Sequence, residues 1–124
     1  MQAYVNPPLR VERRRHNEVV IFDLDGNLVS RNTTIIKEQV AAAVDDGNML
    51  ILVNLSGVTY VDSAGLASLV GAIKTAREKN ARVFLAGMSD SVRSVVEMTR
   101  LNRVLSIFDT VESATAALTS GSTG

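Results

Sequence analysis

Two nearly continuous apolar runs, "ILVNL" at residues 51–55 and "RVFLA" at residues 82–86, lie in the middle of the chain, and each follows a segment with helical periodicity. Strands that are apolar on both faces are typical of parallel sheets with helices packed on each side. Strands joined by helices in this way are parallel and connected by right-handed crossovers. The two runs therefore predict central parallel strands of an α/β fold.

The segments around these runs predict the rest of a mixed sheet. The charged stretch "LRVERRRH" at 9–16 is typical of an edge strand, and "VVIFDLDG" at 19–26 predicts a second strand, antiparallel to it through a turn at 17–18. A loop is expected over "SGVTYVDSAG", residues 56–65. The whole pattern, ββαβαβαβα, predicts an α/β fold with four to five strands and about four α-helices. We predict helices over 32–47, 66–80, 89–100 and 111–119, a short strand within 104–109, and packing roles for Phe84, Met88, Met98 and Phe108.

The length of 124 residues suits one domain, which we place at residues 9–118, between an N-terminal extension (1–8) and a flexible tail (119–124). Lys plus Arg and Asp plus Glu number 13 each, and this zero balance argues against a nucleic-acid partner. With no cysteine and one histidine, His16, the chain has little with which to build a metal site or a catalytic triad. No cofactor is expected.

The absence of a signal-like or membrane-length apolar run predicts a cytoplasmic protein without membrane insertion.

The string "VVIFDLDGNLVSR" at 19–31 is similar to the opening motif of haloacid-dehalogenase-like phosphotransferases, in which two aspartates do the chemistry. Asp23 and Asp25 occupy those positions, but Asn27 replaces the usual threonine. Such enzymes also need further carboxylates for magnesium, and the adjacent pair Asp45–Asp46 ends a predicted helix soon after the motif. We therefore interpret the two aspartates as residues of an exposed strand face, and we expect no enzyme activity.

A stronger signal lies in "ILVNLSGVTYVDSAGLASLVGAIKTAREKNARVFLAG", residues 51–87. This stretch closely resembles the STAS domain family, named for sulfate transporters and anti-sigma factor antagonists. The resemblance covers about residues 9–118 and includes a second-strand signature at Leu24, Gly26 and Leu28. In the central pattern, the matching residues are Val53, Leu55, Val58, Asp62, Ser63, Gly65 and Leu66.

Ser63 has one structural and one functional interpretation. From the residues alone, it lies at or just before a helix N-terminus, where its hydroxyl can cap free backbone N–H groups. Gly65 would allow close backbone packing at the same junction. The resemblance implies a second role, because the serine of the "D-S-x-G-L" motif is the phosphorylation site of the family's antagonists.

The resemblance also implies a regulatory binding module, an anti-sigma factor antagonist that sequesters an anti-sigma factor serine kinase. Phosphorylation of Ser63 would end the interaction, and a PP2C-type phosphatase would restore it. A monomer or weak dimer is expected. Val29 departs from the family, whose antagonists often have an aspartate there. The predicted partner-binding residues are Asn27, Val29, Tyr60, Asp62, Ser63, Ala64 and Gly65.

Two other functions remain open at this point. The same family resemblance leaves open a STAS scaffold or accessory subunit of another assembly, such as a stressosome or a lipid-transport complex, without a phosphorylation switch. Those variants often lack a phosphorylatable serine, whereas this chain has Ser63. A nucleotide- or anion-binding STAS module could use the same helix N-terminus, although the neutral net charge gives it little support.

Overall fold

The computed structural model describes residues 9–29, 34–103 and 105–119. The predicted N-terminal extension, residues 120–124 of the predicted tail and the start of the first predicted helix lie outside these ranges. The described elements are β1 (Arg10–His16), β2 (Val19–Leu28), α1 (Thr34–Asp45), β3 (Leu50–Val61), α2 (Ser63–Glu78), β4 (Arg82–Ala86), α3 (Asp90–Met98), a 3-10 turn (Leu101–Arg103), β5 (Ile107–Phe108) and α4 (Val111–Thr119).

The five strands form one sheet in the order β1-β2-β3-β4-β5. β1 is antiparallel to β2, with His16 opposite Val19 across a turn in which Asn17 has a positive φ of 55°. The pairs β2–β3, β3–β4 and β4–β5 are all parallel. The predicted mixed sheet is therefore confirmed, with the charged strand β1 at an edge and the apolar runs in the interior strands β3 and β4.

Helices cover both faces of the sheet, which explains why the interior strands are apolar throughout. On one face, α1, α2 and α3 contribute Val40, Leu69 and Val92 to a core that includes Phe22 and Val53 of the sheet. On the other face, α4 packs over a smaller cluster of side chains. That cluster contains Val19, Ile21, Leu52, Phe84, Ala86 and Ala114, with Phe108 packed against it.

Strand β3 is longer than the sequence predicted. Residues 56–61, "SGVTYV", were expected in a loop, but they continue the strand to Val61. The physical reason is pairing with the end of β2, where Gly26 lies opposite Val58 and Asn27 opposite Tyr60, with one register shift between these two pairs. Backbone hydrogen bonding to a neighbouring strand thus overrides the local turn preference of Ser56 and Gly57.

Met98 also differs from its prediction, because its side chain is 83% exposed. Helix α3 buries Val92 and Val96, which lie four residues apart on one stripe. Met98 is two residues beyond Val96 and therefore lies about 200° further around the helix, on the solvent side. Met88 is buried, as predicted.

Candidate functional site

The β3–α2 junction, which we define as residues 59–65, places the end of a strand directly against the start of a helix. Only Asp62 separates the last residue of β3 from the first residue of α2. Its backbone is extended, with φ −101° and ψ 174°, and its Oδ1 accepts a hydrogen bond from the Gly65 N–H at 2.7 Å. Its carbonyl accepts the Leu66 N–H at 2.9 Å. Asp62 is therefore the N-cap of α2.

Ser63 lies at the helix N-terminus as predicted, but the structural interpretation of Ser63 as the cap is wrong. Ser63 is the first residue inside α2, because the Asp62 carboxylate already satisfies the backbone donor that a cap would take. The Ser63 side chain is exposed. Its hydroxyl makes no hydrogen bond within the part of the chain that the structure describes, so it faces solvent at a fixed point of the fold.

The start of α2 is held tightly against the end of β2. The Asp62 N–H donates to the Leu28 carbonyl at 3.2 Å. A Cβ at Gly65 would lie 2.0 Å from the same oxygen and 3.1 Å from the Val29 nitrogen, so only glycine fits there without a shift of the backbone. The predicted close approach at Gly65 is thus confirmed, and it brings the first turn of α2, which contains Ser63, into direct backbone contact with the end of β2.

The structure gathers the predicted partner-binding residues at this junction but does not expose them equally. Tyr60, Ser63 and Ala64 are exposed, with 56% of Tyr60 accessible, and Asn27 and Asp62 are half-buried. Val29 is 9% exposed and Gly65 is also buried, so these two offer a partner little side-chain surface.

Thr59 is also exposed beside Tyr60, and it is not among the predicted partner-binding residues. Thr59 donates a hydrogen bond from its hydroxyl to the Asn27 Oδ1 at 2.9 Å and joins the ends of β2 and β3. Strict alternation would place Thr59 on the same face as Val61, which is buried, so no local pattern marks Thr59 as exposed.

The two aspartates of the phosphatase-like string lie in a separate ion-paired cluster on β2. Asp23 accepts hydrogen bonds from Arg14 Nε at 2.6 Å and from Asn54 Nδ2 at 2.8 Å. Partial burial alone would raise the pKa of Asp23, but the hydrogen bonds from Arg14 and Asn54 and the charge of Arg14 outweigh it and lower this pKa. Asp25 is exposed, and its Oδ2 lies 4.0 Å from a guanidinium nitrogen of Arg10.

Within residues 9–29, 34–103 and 105–119, no cluster of three or more side chains suited to a metal ion occurs.

Comparison with known proteins gives one family. The model of the STAS domain family matches residues 10–114. Among curated relatives, the anti-sigma-B factor antagonist of Staphylococcus aureus is 26% identical over 104 residues, which cover 84% of this chain and 96% of the relative.

Solved structures agree with this fold. An anti-sigma factor antagonist from Mycobacterium paratuberculosis superposes with a TM-score of 0.79 at 17% identity, covering 91% of this chain and 97% of that one. The Bacillus cell fate determinant SpoIIAA, solved in its phosphorylated form, superposes with a TM-score of 0.65 at 22% identity, covering 89% and 98%. Of the helices in the described ranges, none has the length and apolarity needed to cross a membrane.

Proposed function

Because the chain belongs to the STAS domain family, we propose that it is an anti-sigma factor antagonist whose docking on an anti-sigma factor serine kinase is switched off by phosphorylation of Ser63. The name of the Staphylococcus aureus relative and the shape of the β3–α2 junction support this role. In this proposal the domain is a substrate of phosphoryl transfer and a binding module, and it catalyses no reaction itself.

The observation that carries the proposal is the exposed Ser63 hydroxyl at the first residue of α2. In the reaction, a lone pair of Ser63 Oγ attacks the γ-phosphorus of ATP held by the kinase. A new O–P bond forms, the bond from the γ-phosphorus to the bridging oxygen breaks, and ADP leaves. The hydroxyl proton passes to a base of the kinase. Because Ser63 Oγ makes no hydrogen bond to the described residues, no intramolecular contact has to break first.

The added phosphate would change the surface and leave the core intact. It brings a charge of about −1.5 to −2 beside the carboxylate of Asp62. Negative charge is tolerated at a helix N-terminus, so the fold need not change. At a docking surface, however, like-charge juxtaposition costs several kcal/mol. Removal of the phosphate by a PP2C-type phosphatase would restore docking.

The proposed docking surface consists of Asn27, Thr59, Tyr60, Asp62, Ser63 and Ala64. Tyr60 supplies its apolar anchor, because large exposed aromatic side chains are enriched among residues that dominate interface energies. Val29 and Gly65 are buried beneath this surface, so in the proposal neither contacts the kinase through its side chain. The aspartate that the family's antagonists often have at the position of Val29 would have no counterpart here.

Calorimetry against the purified kinase, with ADP or ATP, tests the proposal. Ser63→Ala should bind as the unphosphorylated wild type does and resist inactivation by ATP. Ser63→Glu should bind more weakly, although a carboxylate carries less charge than phosphate. Ser91→Glu is a matched control, because Ser91 is an exposed serine in the first turn of a different helix, α3.

Phosphosite mapping after incubation with kinase and ATP completes the test. We expect phosphate on Ser63 alone. If both Ser63 variants bind like the wild type and no phosphate is found on Ser63, the switch is excluded. A scaffold or accessory subunit without a phosphorylation switch would then be the better interpretation.

A further inference from the structure

The junction contains two consecutive residues, Asp62 and Ser63, that are both strong N-caps. Aspartate and serine have nearly equal preference for the cap position. In the structure Asp62 takes it, with 2.7 Å between its Oδ1 and the Gly65 nitrogen. Ser63 is left one residue inside the helix, with its hydroxyl exposed.

We propose that Asp62 is a positioning residue for phosphorylation, which keeps the Ser63 hydroxyl free by holding the helix cap one residue upstream. This inference rests on the proposed function and concerns the regulation of the same site. Without the Asp62 side chain, the Gly65 N–H loses its acceptor, whereas the Leu66 N–H keeps the backbone carbonyl of residue 62. The nearest replacement is the hydroxyl of Ser63 itself.

A capping role for Ser63 would make it a poorer phosphate acceptor. As a cap, its Oγ would accept a hydrogen bond from a backbone N–H of the first turn and turn towards the helix axis. One of the two lone pairs of Oγ would then be engaged, and the hydroxyl would be turned away from the kinase, so the orientation that attacks the γ-phosphorus would be less populated. The transfer would require this contact to break before the new O–P bond forms.

Three variants separate the cap from the charge of Asp62. Asp62→Ala removes both, whereas Asp62→Asn removes the charge and keeps a good cap. Ser89→Ala is the matched control, because Ser89 caps α3 through the Val92 N–H at 3.3 Å and its loss removes a cap elsewhere.

Phosphorylation by the kinase with saturating ATP is measured as a function of antagonist concentration. In Asp62→Ala we expect kcat at saturating antagonist to fall about fivefold, the population shift that one cap interaction produces. Because Asp62 also belongs to the proposed docking surface, KM is expected to change in both Asp62 variants, and kcat alone reports the cap. Ser89→Ala, which lies outside the docking surface, should keep the wild-type kcat, and Asp62→Asn should recover most of the kcat that Asp62→Ala loses, because asparagine is a good cap. The proposal is overturned if Asp62→Ala keeps the wild-type kcat, or if Asp62→Asn is as slow as Asp62→Ala.

A thermal double-mutant cycle tests the cap shift without any kinase. In the wild-type background Ser63→Ala should leave the melting temperature nearly unchanged, because Ser63 is not the cap. In the Asp62→Ala background the same change should lower it by roughly 4 °C, because Ser63 has become the cap. Equal effects in the two backgrounds would refute the cap shift. A wild-type protein that is never phosphorylated would refute only the proposed function.

Discussion

Gly65 packs so closely against the end of β2 that a Cβ on it would lie 2.0 Å from the carbonyl oxygen of Leu28. That carbonyl also accepts the N–H of Asp62, the cap of α2. The two contacts tie the start of the helix to the neighbouring strand. The exposed hydroxyl of Ser63 owes its fixed position to this buried contact between two backbone segments.

Gly65→Ala should therefore destabilise the protein by about 1–3 kcal/mol, because overpacking forces α2 and β2 apart. Gly71→Ala is the matched control in the same helix, where a Cβ would have no neighbour within 4 Å. That change should be neutral or raise stability by up to about 1 kcal/mol. Urea unfolding of both variants measures the difference, and equal stabilities would contradict the tight contact.

Tyr60→Ala should weaken kinase binding at least about tenfold without lowering stability, because the exposed ring is the proposed apolar anchor. Met49→Ala is the control, since Met49 is also an exposed apolar side chain, at 44%, but precedes the opposite end of β3. Calorimetry measures binding, and thermal melts measure folding. Wild-type affinity in Tyr60→Ala would remove Tyr60 from the docking surface.

Asp23→Asn should lower the free energy of unfolding by about 1 kcal/mol at neutral pH, because it removes the ion pair with Arg14 at 2.6 Å. The pKa of Asp23 is lower in the folded protein than in the unfolded chain, where it is about 3.9. The stabilisation is therefore fully present above about pH 4 and is lost as the pH falls through the folded-state value.

Denaturant unfolding at pH 7 and at successively lower pH checks this dependence. The difference between wild type and Asp23→Asn should shrink on acidification. Asp25→Asn is the control, because Asp25 is exposed and lies 4.0 Å from Arg10. A difference that grows as the pH falls would have the wrong sign and would contradict the ion-pair explanation.

Replacing both Asp23 and Asp25 by Asn should leave kinase binding largely intact, because neither belongs to the proposed docking surface. The wild-type protein should not hydrolyse a generic phosphomonoester with magnesium. Colorimetric assay of both proteins measures this activity. Magnesium-dependent hydrolysis by the wild type that disappears in the double variant would show that the aspartates do phosphatase chemistry.

The architecture follows from local patterns in the sequence. The continuous apolarity of "ILVNL" and "RVFLA" predicted interior parallel strands, and the arginines of β1 predicted an edge. These predictions succeed because a strand buried on both faces must be apolar on both, whereas an edge strand must resist pairing with other chains.

The details of the junction depend on contacts between segments distant in the chain. Residues 56–61 are a strand because β2 offers them backbone partners, and no local pattern records that pairing. Likewise, two adjacent residues of equal cap preference leave the start of α2 undecided in the sequence. Asp62 becomes the cap because its N–H donates to the backbone carbonyl of Leu28, and because Gly65 packs against that same carbonyl. The exposure of Ser63 is therefore a property of the tertiary structure, since a one-residue choice of helix start is decided by packing against another strand.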